Sequence, residues 1–208
     1  MASLDYDHNV FINCPFDEPY QEMLYALVFA VHDCGFRARC ALEVDDAGSV
    51  RIENIVELVR GCRFGIHDVS RTELDETNDL PQFNMPLELG LFLGAMRFGS
   101  GRQRQKHSLI LDRERYRYQK FISDISGQDI KAHEDKAEVA IRRVRDWLNS
   151  SPVDPDITKP GARKMAERYE RFFSELPDLC QKFHLDTDEL TFIDFRTLLI
   201  EWLVYNEW

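Results

Sequence analysis

The sequence has few basic residues compared with its acidic residues. Its 208 residues include 26 Lys and Arg against 37 Asp and Glu, which gives a formal net charge of -11. A surface this acidic repels polyanions, so we expect no direct contact with nucleic acid or with an anionic membrane.

Several motifs and segments are missing as well. None of the five cysteines stands in the CxxC spacing of a zinc or redox site. No apolar run approaches the roughly 18 residues that a membrane span requires, and the polar, acidic start of the chain does not resemble a signal peptide. These absences predict a cytoplasmic protein with reduced thiols and no metal site.

Two phosphate-binding motifs are absent too. Neither GxGxxG nor GxxxxGK[ST] occurs in the sequence. The first is typical of dinucleotide-binding dehydrogenases and the second of P-loop ATPases, so both classes are disfavoured.

Strand and helix patterns alternate over residues 9–149. We expect strands at 10–12, 36–42, 64–69 and 108–112, with a weaker one near Ile130. Helices are expected to follow Asp17 up to Gly35, to follow Ser49 up to Gly61, and to span 85–98 and 134–148. This alternation predicts a flavodoxin-like parallel sheet with helices on both faces.

The remaining chain divides into a linker and a helical extension. Residues 150–161 hold three prolines and read as a linker. Residues 162–208 form the extension, with helices expected at 162–183 and 188–205. An apolar stripe on the last helix either packs on the α/β domain or contacts another subunit; it comprises Phe192, Phe195, Leu198, Leu199 and Trp202.

The layout predicts where a ligand binds. In an open parallel sheet, ligands occupy the crevice beyond the carboxyl ends of the strands. The loops at 13–17, 43–49 and 68–84 lie there. The third is long for a connection of this kind, which favours a binding loop or lid over a solvated insertion.

Glu88 is the strongest single candidate. Its neighbours from 85 to 95 are all apolar or glycine. A lone carboxylate in such a helix is costly unless it has a partner or a role. Two interpretations stay open: Glu88 is an acid that faces a ligand, or it is a capping acid that is stabilised by the positive N-terminal end of the helix dipole. Gly90 and Gly94 predict close packing of this helix against the sheet or a ligand.

The same segment carries a resemblance. FNMPLELGLFLGAMRFG, followed by the strand HSLIL, is similar to the (Q)NVxFELGxFxG segment of bacterial TIR-like nucleotide-binding domains. The broader ELG pattern is similar to nucleoside 2-deoxyribosyltransferases. The resemblance covers residues 9–149, mostly in layout. Gln82 stands where the transferases carry an aspartate, which disfavours that activity.

The resemblance implies an activity and a catalytic residue. Enzymes of these families cleave N-glycosidic bonds through a glutamate, which falls on Glu88 here. NAD would then be the substrate, cut at the nicotinamide–ribose bond, and no resident cofactor is implied. TIR-like domains commonly act as homo-oligomers and as effectors or signal producers in bacterial antiviral defence.

Further residues are candidates for substrate binding. The first loop offers Phe16 for stacking on the base, with the alternative that it belongs to the core. Arg39 and Arg51 suit a diphosphate, or surface ion pairs. Carboxylates after the second and third strands suit ribose hydroxyls, or a solvated turn and a cap. The candidate binding set is Cys14, Pro15, Phe16, Arg39, Glu43, Asp68 and Asn84, with Asp45 and Asp46 beside Glu43.

Three functional hypotheses follow. The first is cleavage of the N-glycosidic bond of NAD or a related nucleotide. The second is a nucleotide or nucleoside N-glycosidase or a deoxyribosyltransferase. The third is a non-catalytic nucleotide-sensing or scaffolding module.

Overall fold

Five parallel strands form one sheet in a computed structural model that describes residues 6–44, 48–74 and 79–208. The order is β2-β1-β3-β4-β5, and every neighbouring pair is parallel. This is the flavodoxin-like order, which confirms the fold class expected from the sequence. The strands are β1 (Asn9–Asn13), β2 (Arg37–Arg39), β3 (Phe64–Asp68), β4 (His107–Asp112) and β5 (Lys131–Ala132).

Helices cover both faces of the sheet. Val10 and Ile12 belong to the core that contains α1 and α4, whereas Phe11 packs with α2 and α3 on the opposite face. Two further helices, α5 and α6, lie outside α1 and belong to the same core. The helices are α1 (Gln21–Asp33), α2 (Arg51–Gly61), α3 (Asn84–Phe98), α4 (Ala137–Asn149), α5 (Ala162–Phe183) and α6 (Phe192–Tyr205).

Helix α1 is buried on both sides. Ten of its 13 residues are buried, because the sheet covers one side and α5 and α6 cover the other. Phe29 lies against Phe172 of α5, with ring centroids 6.0 Å apart. Tyr25 stacks on Phe195 of α6 at 3.8 Å. The apolar stripe of the last helix therefore packs within the chain.

An ion pair connects α5 to α1. Asp33 is buried, and its Oδ1 accepts hydrogen bonds from Nε and Nη2 of Arg168 at 3.2 and 3.0 Å. Arg168 also donates to the carbonyl of Asn206 at 2.5 Å. A buried carboxylate requires such a partner, so this ion pair favours one packing position of α5 on α1.

Several element ends differ from the sequence expectation. The second strand is limited to Arg37–Arg39, because residues 41–43 turn into a 3₁₀ helix closed by Glu43. Asp17 accepts from the Tyr20 amide and begins a short 3₁₀ turn, and α1 follows it. Helix α2 was expected to follow Ser49 directly, but its N-cap is Val50; the N-cap of α3 is Phe83, so Asn84 is already the first residue of that helix. The last helix begins at Phe192 with a Thr191–Asp194 capping box.

None of the helices in the described part of the chain is long and apolar enough to cross a membrane.

We expect α5 to be part of the folding unit. Phe172 is fully buried among Phe29, Phe195 and Trp202. Phe172→Ala should lower the free energy of unfolding by about 3–5 kcal/mol, since a large core side chain leaves a cavity. Urea unfolding followed by circular dichroism should show one transition, shifted as a whole.

Ile157→Ala is the matched control, because that residue is 58% exposed and has no part in the core. Its effect should stay within about 0.5 kcal/mol. A separate early transition in Phe172→Ala, with the rest of the curve unchanged, would contradict a shared core.

Candidate functional site

A cavity of about 330 Å³ lies at the carboxyl ends of the central strands. The loop after β1, the turn after β2 and the first turns of α2 and α3 enclose it, which is where the fold predicts a ligand. Its volume is at the lower end of the range for small-molecule sites, about 300–1,000 Å³. The described lining residues are Cys14, Pro15, Phe16, Asp17, Leu42, Arg51, Gln82, Asn84, Met85 and Glu88.

Glu88 is the buried acid of this cavity. Its residue exposure is 5%, and within the described residues it makes no hydrogen bond or ion pair. It lies in the second turn of α3, beyond the first turn where an acid would cap the helix. Its carboxylate oxygens are not among the fully buried polar atoms that lack a hydrogen-bond partner, so they keep access to the cavity. A carboxylate in a mostly buried residue that opens onto a cavity suits a ligand-facing role.

The environment of Glu88 changes its acidity. Burial raises the pKa of Glu88 from 4.5 to about 7, and the positive charge of Arg51 opposes that change. The carboxyl group is therefore poised near neutral pH. Among the described residues that line the cavity, Arg51 is the one cation.

Asn13 holds α3 in place beside the sheet. Its Nδ2 donates to the carbonyl of Met85 at 2.8 Å and lies 3.2 Å from Nδ1 of His67. Asn13 ends β1 and pairs with His67, one residue before the end of β3, so one amide joins β1, β3 and the first turn of α3. This bridge sets the position of Glu88, which is three residues after Met85. Sequence reasoning did not single out Asn13.

The first loop contributes to the cavity as expected. Cys14 and Pro15 are buried and Phe16 is half-buried. Burial, followed by the charge of Asp68, raises the pKa of the Cys14 thiol well above its usual value. Cys14 is therefore a neutral wall residue, since a nucleophile requires the thiolate. Asn84 lines the cavity from the start of α3.

Arg39 and Glu43 lie outside this cavity. Glu43 Oε2 accepts from Nε of Arg39 at 2.6 Å, and Oε1 accepts from Nη1 of Arg196 at 2.8 Å. The three side chains connect the turn after β2 to α6. Their mutual pairing gives them a structural role here, and their part in substrate binding stays a prediction.

Asp68 also lies away from the cavity, in a buried polar network. It accepts from the Tyr20 hydroxyl at 2.6 Å and from the Ser70 amide at 2.8 Å, and Nε2 of His133 is 3.0 Å away. Burial alone would raise the pKa of Asp68, but the His133, Ser70 and Tyr20 contacts hold it below its usual value. The carboxylate thus connects the 3₁₀ turn before α1, the loop after β3 and the residue that follows β5.

Three sequence predictions have further outcomes. Asp45 and Asp46 lie outside the described residues, as do residues 75–78 of the long third loop. Gly90 and Gly94 do not mediate close packing, because a Cβ built on either one would meet nothing within 4 Å. The two glycines instead leave an open notch along α3. The neighbour of Asn13 on β3, His67, was not among the candidate site residues; it is fully buried, and burial lowers its pKa to about 3, so it is a neutral core residue.

The sequence signals for several wall residues were weak. Asp17, Leu42 and Gln82 line the cavity, although none of them is in the candidate binding set; Asp17 and Gln82 lie in loops that were expected at the crevice, whereas Leu42 was expected to be a strand residue. Their common property is adjacency to a strand end or helix start. Within the described residues, no group of three or more His, Cys, Asp or Glu side chains could hold a metal ion.

The chain matches no family model, and comparisons with curated proteins and with solved structures give no significant match.

We expect Glu88→Gln to stabilise the protein in a pH-dependent way. The pKa of Glu88 rises from 4.5 to about 7 on folding, so ionisation opposes folding increasingly as pH climbs through that range. Removing the charge should raise the free energy of unfolding by about 1–3 kcal/mol at pH 8 and by less than about 1 kcal/mol at pH 5.

Urea unfolding of both proteins at the two pH values measures this difference. Glu170→Gln, at an exposed position on α5, is the matched control and should change stability by less than about 0.5 kcal/mol at either pH. A loss of stability in Glu88→Gln at pH 8 would show that the carboxylate has a favourable partner.

Proposed function

We propose that this protein cleaves the N-glycosidic bond between nicotinamide and ribose in NAD. One observation carries the proposal: Glu88 is a buried, unpartnered carboxylate that lines a cavity at the carboxyl ends of the sheet. The resemblance of the surrounding helix to TIR-like domains supports the choice of NAD. The flavodoxin-like strand order is compatible with that resemblance.

The chemistry suits a single carboxylate. Departure of nicotinamide leaves positive charge on the ribose, similar to the oxocarbenium state of glycosidases. The leaving group is cationic in NAD and departs neutral, so it requires no general acid. Glu88 faces the ribosyl cation and stabilises it, or attacks its C1 to give an ester that water then cleaves. Water supplies the hydroxyl of ADP-ribose, and one proton is released.

Two other wall residues have roles in this proposal. Arg51 offers a guanidinium to the diphosphate, and it also favours the ionised form of Glu88. Phe16, half-buried beside Cys14 and Pro15, offers a ring against the departing nicotinamide. The proposed compartment is the cytoplasm, with which five free, buried cysteines are compatible. An effector or signal-producing role in antiviral defence follows from the resemblance alone.

The proposal predicts the kinetics of Glu88→Gln. Loss of the charge should lower kcat for nicotinamide release by about 10²–10³-fold. The Kd for NAD should change much less, because positive charge on the ribose develops only in the transition state. In the native protein, kcat/KM should rise with pH through about 7 as Glu88 ionises.

Chromatography of NAD incubations measures nicotinamide, and calorimetry measures binding. Glu170→Gln should retain full turnover. Release of free base from nucleoside monophosphates, with NAD left intact, would favour the N-glycosidase or transferase hypothesis. NAD binding without turnover, in samples concentrated enough to assemble, would favour the non-catalytic module.

We also propose that the protein forms a homo-oligomer through α3. The outer side of this helix exposes large apolar side chains on either side of the notch at Gly90 and Gly94, and 91% of Phe98 is exposed. The others are Phe83 and Leu87. Apolar patches of this kind are typical of association surfaces.

Phe98→Glu should therefore reduce the mass measured by light scattering at about 100 µM toward that of one chain. A charge placed in an apolar contact is left desolvated, which weakens association by several kcal/mol. Ile157→Glu, at another exposed apolar position away from α3, should leave the mass unchanged. A native protein that is monomeric with and without NAD would contradict the proposal.

A further inference from the structure

A second, larger cavity adjoins the Glu88 cavity. Its volume is about 680 Å³, and it shares Phe16, Asp17 and Leu42 with the smaller one. We call it the outer chamber. Its far wall comes from α5, α6 and the turn that joins them, including Phe173, Asp188 and Phe192. The C-terminal helices therefore extend the candidate site beyond the α/β unit.

Aromatic rings form much of the chamber. Phe16 and Phe173 are half-buried lining residues, and Tyr25 and Phe192 are buried lining residues. Pro177 also lines the chamber from within α5. This wall offers flat apolar surface, which suits a planar heterocycle.

The charged residues among the described lining of the chamber are all acidic. Glu18 and Asp188 are exposed at its rim, and neither forms an ion pair within the described residues. Asp17, at the border with the smaller cavity, pairs with Arg71 at 2.7 Å. No Lys or Arg is among the described lining residues. Carboxylates accept hydrogen bonds from ribose hydroxyls, as an acid does in dinucleotide-binding folds, and they repel phosphate.

The two cavities therefore differ in charge. The smaller one holds Arg51 beside Glu88, and the outer chamber holds carboxylates and aromatic rings. We propose that the outer chamber binds the adenosine end of a dinucleotide, with the phosphates kept on the Arg51 side of the shared wall. The identity of this ligand rests on the proposed function.

Adenosine itself is the probe for this inference. It should bind the native protein with a stoichiometry of one, as measured by calorimetry. Asp188→Asn should weaken its binding about fivefold, because a charge-assisted hydrogen bond to a ribose hydroxyl becomes a neutral one. Asp186→Asn is the matched control: it is exposed in the same turn, lies outside the lining, and should leave the Kd unchanged.

Turnover provides a separate arm. Nicotinamide mononucleotide carries the scissile bond and lacks adenosine, so its KM should exceed that of NAD by about tenfold or more in the native protein. That difference should shrink in Asp188→Asn and persist in Asp186→Asn.

The two proposals fail in different ways. Adenosine binding that responds to Asp188→Asn, with no nicotinamide released from NAD, would overturn the catalytic proposal and support the chamber. Nicotinamide release with equal KM values for NAD and the mononucleotide, or adenosine binding that is absent or equal in the two variants, would overturn the chamber assignment.

Discussion

The burial of α1 on both sides is the constraint on which the rest of the structure depends. One side faces the sheet and the other faces α5 and α6, so the helix has almost no solvent-facing stripe. Its apolar sequence would otherwise expose a large patch. The same arrangement sets the site, because the loop that begins α1 separates the two cavities and α5 and α6 form the wall of the larger one.

A second constraint acts at Glu88. The carboxylate is buried without a partner, and the stability lost in this way must be supplied by contacts elsewhere. Asn13 supplies one such contact, since its amide ties the first turn of α3 to two strands. Unfavourable burial of a charged group is common at functional sites, because such a group must already be positioned to interact with the ligand when the ligand binds. The proposed stabilisation of a ribosyl cation depends on this preset position of the Glu88 carboxylate.

Strong periodicity made most of the fold predictable. The order of strands and helices through residue 149, and Glu88 as an isolated acid, follow from apolar spacing alone. The expected second strand, 36–42, is longer than the strand in the structure. Alternation of apolar residues does not reveal that Glu43 folds back on Arg39 and Cys40. Polar positions were harder still: Asp68 and Glu43 are engaged by partners that lie far along the chain.

The amino-acid sequence by itself determined the parallel α/β architecture and the apolar surroundings of Glu88, because both depend on local spacing. Only the tertiary structure decided which charged groups face a cavity and which are neutralised. Arg196 reaches Glu43 across 153 positions, and His133 lies beside Asp68. It also decided that α5 and α6 wall the outer chamber. Such pairings depend on how distant segments pack, and a carboxylate has the same local sequence signal whether it meets an arginine, a histidine or a ligand.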